Sequence, residues 1–244
     1  MARTARPVVG LDIDGVCRPA VPRWLVGDPP LHEAPPMPAH IGPGSRVARW
    51  FDRDGWRADF TRLHGADALA ELDAATSVTL TVNRAQWPAN PFHASWPMVF
   101  GGPDGVPDTA DFEVLLLPWI GDWVNGLLAR GVQVVWSTTW AEAANTWLSP
   151  ALGIPRLEWG QEGTDDRASD QTIEWKVRGL KEHYRRRPIA VIDDQPWHLT
   201  GADALDLRFA GRKIPSLTVR VDELRGLTHA QASEVDDWLA GLGW

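Results

Sequence analysis

Short runs of apolar residues that end in polar residues recur along the chain and predict buried strands. Residues 8–11, 132–136 and 189–192 form three such runs, each rich in valine or isoleucine. A short β-branched run of this kind is typical of a strand covered on both faces, as in a parallel sheet. Residues 216–221 form a further run. The pattern therefore predicts four strands.

Helical patterns alternate with these strands. Pro118 suits the first turn of a helix, because an N–H there would be unpaired in any case. An apolar stripe then repeats at helical spacing over Trp119, Ile120, Trp123, Val124, Leu127 and Leu128. Residues 170–186 predict a second helix, and Thr228 with Gln231 predicts a capping box that opens the last one. The alternation is typical of an α/β fold with a doubly wound, mostly parallel sheet.

Residues 18–113 interrupt this alternation and are predicted to be an insertion. The stretch is rich in proline and glycine, which favour loops. The core would then comprise residues 1–17 and 114–244, and the inserted segment would lie on it as a cap or lid.

Some structure is predicted inside the insertion. Residues 46–60 are expected to be extended, with Asp54-Gly55 as the two-residue turn of a hairpin. Residues 66–74 follow a short helical pattern, and residues 78–82 alternate apolar and polar positions as a half-buried strand does.

Composition and charge narrow the class of protein. The 244 residues, 44% of them hydrophobic, suit one large domain or a core with an inserted subdomain. The chain has 24 lysine and arginine residues and 32 acidic residues, which gives a net charge of −8. This charge argues against a positive electrostatic field over the whole protein that would bind duplex DNA. Cys17 is the only cysteine, so a disulfide within the chain and a cysteine-rich zinc site are excluded. We expect a soluble cytoplasmic protein, since no apolar run is long enough to span a membrane.

Acidic residues follow two of the predicted strands. Asp12 and Asp14 come after the first, with Gly15 next, and Asp193 and Asp194 come after the third. Ligands of open α/β sheets bind at the carboxyl ends of the strands. An acidic turn after a strand is the alternative interpretation.

Hydroxyl groups follow the second strand. Ser137 and Thr138 come directly after it, and Thr139 with Glu142 predicts a capping box for the next helix. A helix N-terminus beside hydroxyls is a favourable place for a phosphate, although a threonine there is usually only a cap. Lys176 lies on the predicted 170–186 helix, off its apolar stripe, where a lysine is ordinarily solvated.

In this order, these residues resemble the four motifs of the haloacid dehalogenase-like (HAD) superfamily. The ordered set is Asp12-Ile-Asp14-Gly15, the hydroxyls after residues 134–136, Lys176, and Asp193-Asp194. Residues 136–145, 152–155 and 226–228 also resemble the HAD domain associated with bacterial "Swiss Army knife" RNA-repair proteins. The resemblance covers residues 7–17 and 114–240, and not the insertion. It implies a HAD-like, Rossmannoid core.

The resemblance also implies phosphoryl transfer through an aspartyl-phosphate. Asp12 would be the nucleophile and Asp14 the general acid and base. Mg²⁺ would be bound by Asp12, the backbone carbonyl of Asp14, and Asp193 or Asp194. Lys176 would neutralise charge on the nucleophile and phosphoryl oxygens. Thr138, or Ser137 if the strand ends one residue earlier, would donate its hydroxyl to the phosphoryl group.

The positive charge and the aromatic side chains of the insertion bear on the kind of substrate. Arg46, Arg49 and Arg53, next to Trp50, would suit a surface that attracts phosphates and stacks bases. A solvated arginine face above a small tryptophan core is the other interpretation. The expected substrate is phosphorylated, such as an RNA or DNA end or a nucleotide. A small-metabolite phosphatase and a HAD-fold RNA-binding module without turnover are the alternatives, and no obligate protein partner is indicated.

Overall fold

A five-stranded parallel sheet forms the centre of the structure, which is a computed structural model. It describes residues 5–27, 29–31, 33–34, 36–37, 48–83, 109–140, 142–160, 173–194 and 212–244. The strands are β1 (Val8–Leu11), β2 (Thr76–Asn83), β3 (Thr109–Leu116), β4 (Gln133–Trp136), β5 (Glu158–Trp159), β6 (Ile189–Asp193) and β7 (Ser216–Arg220). The order in the main sheet is β5-β4-β1-β6-β7, and every pairing in it is parallel. The predicted α/β fold with a mostly parallel sheet is confirmed.

Helices cover both faces of this sheet. The α-helices of the described residues are α1 (Arg53–His64), α2 (Ala66–Asp73), α3 (Trp119–Ala129), α4 (Ser149–Ala151), α5 (Ile173–His183) and α6 (His229–Gly241). Short 3-10 helices lie at Arg23–Leu25 and Ala48–Phe51, and a π-helical turn lies at Ala144–Leu148. Val177 and Leu180 of α5, with Tyr184 directly after it, pack on one face with Val8, Val135, Ile189 and Val191. Buried residues of α3 and α6 pack with Val9, Leu11, Val134 and Ile192 on the other. The predicted capping box at Thr228 and Gln231 is present at the start of α6.

The described residues of the insertion hold two α-helices, two short 3-10 helices, β2 and the first part of β3, which continues to Leu116. β2 and β3 pair antiparallel, as a separate two-stranded sheet. The predicted helix and strand at 66–74 and 78–82 are confirmed as α2 and β2. Buried residues of α1, α2 and β2 belong to the same apolar cluster as those of α3 and α6. Parts of the proline- and glycine-rich stretches, residues 38–47 and 84–108, lie outside the described residues.

The extended segment and hairpin predicted over 46–60 are wrong, because Asp52 starts a helix there. Its side chain accepts the backbone N–H of Gly55 at 3.0 Å, which caps α1. Trp56 and Phe60, four residues apart, then lie on one buried side, with ring centroids 5.0 Å apart. Asp54-Gly55 therefore lies in the first turn of a helix.

Among the described residues, no helix combines the length and apolar character needed to cross a membrane.

Candidate active site

The carboxyl ends of the three central strands bring the predicted acids and hydroxyls to one edge of the sheet. β1 lies between β4 and β6, and the pairing registers place Asp12, Ser137 and Asp193 at the same level. Backbone hydrogen bonds continue there: the Asp12 amide donates to the Ile192 carbonyl at 3.1 Å, and the Ser137 amide donates to the Leu11 carbonyl at 2.9 Å. The ends of β1, β4 and β6 therefore form one compact site.

Lys176 reaches this site from α5 and is buried. Its side chain is only 1% exposed, and Nζ donates to Asp12 Oδ2 at 2.5 Å and to Asp193 Oδ2 at 2.9 Å. The ordinary expectation of a solvated helix lysine is therefore wrong at this position. The ammonium group of Lys176 thus joins α5 to the ends of β1 and β6.

The acidic groups outnumber this cation. Carboxylate oxygens of Asp12, Asp193 and Asp194 lie within 4.8 Å of one another. Burial raises the pKa of Asp12 well above its ordinary value, with Lys176 acting in the opposite sense and Asp193 adding to the rise. Burial and the neighbouring Asp193 raise the pKa of Asp194 to about 7. Burial alone would lower the pKa of Lys176, but Asp12 and Asp193 outweigh it, so that this pKa lies above its ordinary value. Full ionisation of the three acids is therefore unfavourable with Lys176 as the counter-charge, and a further cation would favour it.

The donor atoms of the cluster fit a hard divalent cation. Oδ1 of Asp194 is buried and has no hydrogen-bond partner among the described residues, which is unfavourable unless another group binds it. Mg²⁺ and Ca²⁺ both prefer carboxylate oxygens, so the ligand set by itself does not select Mg²⁺. Gly15 permits this arrangement: its φ is +68°, and a Cβ there would lie 2.2 Å from Asp194 Oδ2.

The carboxylate of Asp14 lies apart from this acidic cluster and has its own partners. Arg18 Nη1 donates to Oδ1 at 2.6 Å, and Trp140 Nε1 donates to Oδ2 at 2.8 Å. The side chain is 46% exposed, in contrast to Asp12 at 3%. Asp14 is therefore accessible from solvent at the edge of the buried cluster.

Ser137 and Thr138 directly follow β4, and both are fully buried. Thr138 Oγ1 accepts the backbone N–H of Trp140 at 3.3 Å, which leaves the hydroxyl proton available to a ligand. Trp159 Nε1 donates to the Thr138 carbonyl at 3.1 Å and fixes the backbone there. Thr138 therefore stays the predicted donor to the phosphoryl group, with Ser137 as the alternative.

The capping box predicted at Thr139 and Glu142 stays a prediction, because residue 141 lies outside the described residues. Thr139 and Trp140 lie in a turn, and helical residues are described from Glu142 on. The Ala143 amide donates to the Trp140 carbonyl at 3.0 Å, and the carboxylate of Glu142 pairs with Arg156.

The arginines of the insertion have different environments. Arg57 makes a two-pronged ion pair with Asp73, at 2.7 and 2.6 Å, and Arg53 donates to the Gly27 carbonyl. The first contact holds α1 against α2, and the second holds α1 against the segment that contains Gly27. The predicted role of Arg53 in substrate binding is not tested by its contact and stays a prediction.

Arg49 and Trp50 are also predicted to contact the substrate, while Arg46 lies outside the described residues. Trp50 is 39% exposed. Both residues line an open cavity of about 610 Å³ beside α1, and none of the acidic residues of the strand ends lines it. A role in substrate binding stays a prediction.

Sequence reasoning missed three residues of the site: Arg18, Trp140 and Trp159. The i, i+4 spacing of Asp14 and Arg18 was the only available signal. The two tryptophans act through single indole N–H groups, which no periodic pattern marks.

Comparisons of the chain with protein-family models, with curated proteins and with solved structures found no match.

Addition of Mg²⁺ should raise the melting temperature, because the excess negative charge of the cluster is lowered when a dication binds. A ligand at about 100 times its Kd stabilises a protein by about 2.7 kcal/mol. Asp194→Asn should lose most of this shift in a thermal melt. Asp237→Asn, an exposed change of the same charge on α6, should keep it. An equal shift in both variants would contradict a site at Asp194.

Proposed function

We propose that this protein is a Mg²⁺-dependent phosphatase that hydrolyses phosphate monoesters through an aspartyl-phosphate on Asp12. The observation that supports it is the buried contact of Lys176 with Asp12 and Asp193, beside Asp194. One carboxylate is thereby held at the end of a central strand, next to a fixed cation and further acids. This arrangement suits covalent catalysis by a carboxylate.

In the first step, an oxygen of Asp12 attacks phosphorus and the bond to the leaving oxygen breaks. Asp14 gives its proton to that oxygen, which departs as an alcohol. In the second step, Asp14 takes a proton from water, and the resulting hydroxide attacks phosphorus and releases Asp12 and phosphate. Asp14 can serve both steps because it is half exposed while Asp12 is buried.

Lys176 and the β4 loop stabilise the charge of the transferred group. The ammonium of Lys176 orients Asp12 and offsets negative charge on the phosphoryl oxygens, and its burial strengthens both effects. The Thr138 hydroxyl donates a hydrogen bond to a phosphoryl oxygen. Mg²⁺, held by carboxylates of Asp12 and of Asp193 or Asp194, would supply electrostatic neutralisation of the phosphate dianion.

The proposed substrates are phosphorylated nucleic-acid ends or nucleotides. This part of the proposal rests on the resemblance of the core to RNA-repair HAD domains and on Arg49 and Trp50 beside α1. Phosphate contacts and stacking would both suit such a substrate.

Hydrolysis of a chromogenic aryl phosphate, measured with and without Mg²⁺, tests the activity. Rates on 3′-phosphorylated oligonucleotides, 5′-phosphorylated oligonucleotides and free nucleotides then test the substrate class. Preference for a small phosphorylated metabolite over all of these would contradict the nucleic-acid part alone. Tight RNA binding without any hydrolysis would contradict the enzyme and indicate a binding module.

Asp14→Asn should slow alkyl phosphates much more than activated aryl phosphates. General acid catalysis contributes about 10² to 10⁴-fold, and an aryl leaving group of low pKa needs little of it. The measurement is kcat/KM for one alkyl and one activated aryl phosphate. Equal losses on both substrates would contradict the role of Asp14 as acid.

A further inference from the structure

Trp140 contacts the side chain of Asp14 from a different part of the chain. Its indole Nε1 donates to Asp14 Oδ2 at 2.8 Å, while Arg18 Nη1 donates to Oδ1 at 2.6 Å. Each oxygen of the carboxyl group therefore has one donor, and together the two donors fix the plane of the group. A group with a single donor could rotate about its Cβ–Cγ bond.

The two donors are held in place by different means. Arg18 lies in the same short turn as Asp14: the Arg18 amide donates to the Ile13 carbonyl at 3.0 Å, and the Gly15 amide donates to the Arg18 carbonyl at 2.9 Å. Trp140 lies in the loop after β4, where its backbone N–H donates to Thr138 Oγ1 at 3.3 Å. Its side chain is 9% exposed and packs in the apolar core. The loop after the neighbouring strand thus directs the indole N–H at Asp14.

We propose that Trp140 is a positioning residue for Asp14 and thereby determines which leaving groups the enzyme can expel. The inference rests on the proposed phosphatase activity. Trp140 neither gives nor takes a proton. It holds the Asp14 carboxyl group in the orientation from which the proton reaches the leaving oxygen. The same loop carries Thr138, so the position of Asp14 is tied to the position of the phosphoryl group.

The transfer of the proton from Asp14 to the leaving oxygen explains why an N–H donor suits a position beside the Asp14 carboxyl group. As the bond from phosphorus to the leaving oxygen breaks, its electron pair stays on that oxygen, which takes the proton of Asp14. Asp14 is then a carboxylate, and the N–H groups of Trp140 and Arg18 donate to its two oxygens. Hydrogen bonds to an ionised acceptor are stronger than those to a neutral one. The donors therefore stabilise the acid in its product form and keep it oriented for the water step.

Trp140→Phe tests the inference, since it removes the indole N–H and keeps an aromatic ring in the core. We expect kcat/KM for an alkyl phosphate to fall about 10- to 100-fold, part of the factor that general acid catalysis contributes. We expect the loss on the most activated aryl phosphate to be within about 3-fold, because that substrate needs little protonation. The measurement is kcat/KM over aryl phosphates of graded leaving-group pKa and one alkyl phosphate.

Two comparisons separate positioning from a general effect on structure. Trp123→Phe removes an indole N–H from another carboxylate, Asp236 at 3.2 Å, and should leave both rates unchanged. In an Asp14→Asn background, Trp140→Phe should cost little more, since residues that act as one unit are not additive. If Trp140→Phe does not fold, benzothienylalanine at position 140 keeps the shape of the ring without its N–H.

Each outcome decides the matter. Selective loss on poor leaving groups supports the inference. A uniform loss, or none, overturns it while the phosphatase proposal stands. A wild-type protein that hydrolyses none of these esters refutes the proposed function, and the positioning role is refuted with it.

Discussion

Asp12→Asn is expected to abolish phosphate-ester hydrolysis and to leave the protein folded. Loss of a nucleophile lowers kcat by at least about 10³-fold, because the covalent step has no substitute. The fold should survive because Lys176 keeps its contact with Asp193 at 2.9 Å, so no buried cation is left without a partner. Asparagine has nearly the same shape and removes one of the crowded negative charges. The measurements are turnover of an aryl phosphate and the free energy of unfolding by urea.

A matched control separates the nucleophile from a general effect of charge. Asp122→Asn makes the same change at an exposed position of α3 and should alter neither turnover nor stability. The aspartyl-phosphate gives a second readout, since it should be trapped by rapid acid quenching in the wild type and be absent from Asp12→Asn. Unchanged turnover in a folded Asp12→Asn would remove the nucleophile assignment.

The central strands could be predicted from sequence because their signal is local. Val8–Leu11, Gln133–Trp136 and Ile189–Asp193 are apolar runs that end in polar residues. A parallel sheet buries both faces of such strands, so composition alone marks them. Their order, with β1 in the centre, depends on pairing between distant segments. The apolar run of one strand does not indicate which strands lie next to it in the sheet. The resemblance supplied the expectation that their ends meet.

The errors have physical causes too. At Asp54-Gly55 the hairpin turn signal competed with an N-cap at Asp52, and packing of Trp56 and Phe60 decided for the helix. Burial of Lys176 could not be predicted from its helix, since its partners lie on two strands. The contact of Trp140 with Asp14 joins segments far apart in the chain through one hydrogen bond.

Lys176→Met should destabilise the protein more than any surface change, because it removes a cation that contacts both Asp12 and Asp193. The side chain is 1% exposed, so water cannot take the place of the ammonium. Breaking a buried ion pair by removing one partner costs about 3–5 kcal/mol, since the remaining charge stays buried without compensation. Turnover should also be lost, because the proposed nucleophile loses its orienting contact. The measurements are the free energy of unfolding by urea and turnover of an aryl phosphate.

Mg²⁺ then distinguishes an electrostatic effect from lost packing. Methionine nearly matches the lysine stem, so the cost arises from charge, and a dication in the acidic cluster should restore part of the stability of Lys176→Met. Turnover should not return, because Mg²⁺ cannot orient Asp12 from the side of α5. Arg178→Met, an exposed change of the same charge on the same helix, should alter stability by less than about 0.5 kcal/mol. A loss below about 1 kcal/mol for Lys176→Met would mean that solvent or other groups already compensate the acids, contrary to the burial on which the site depends.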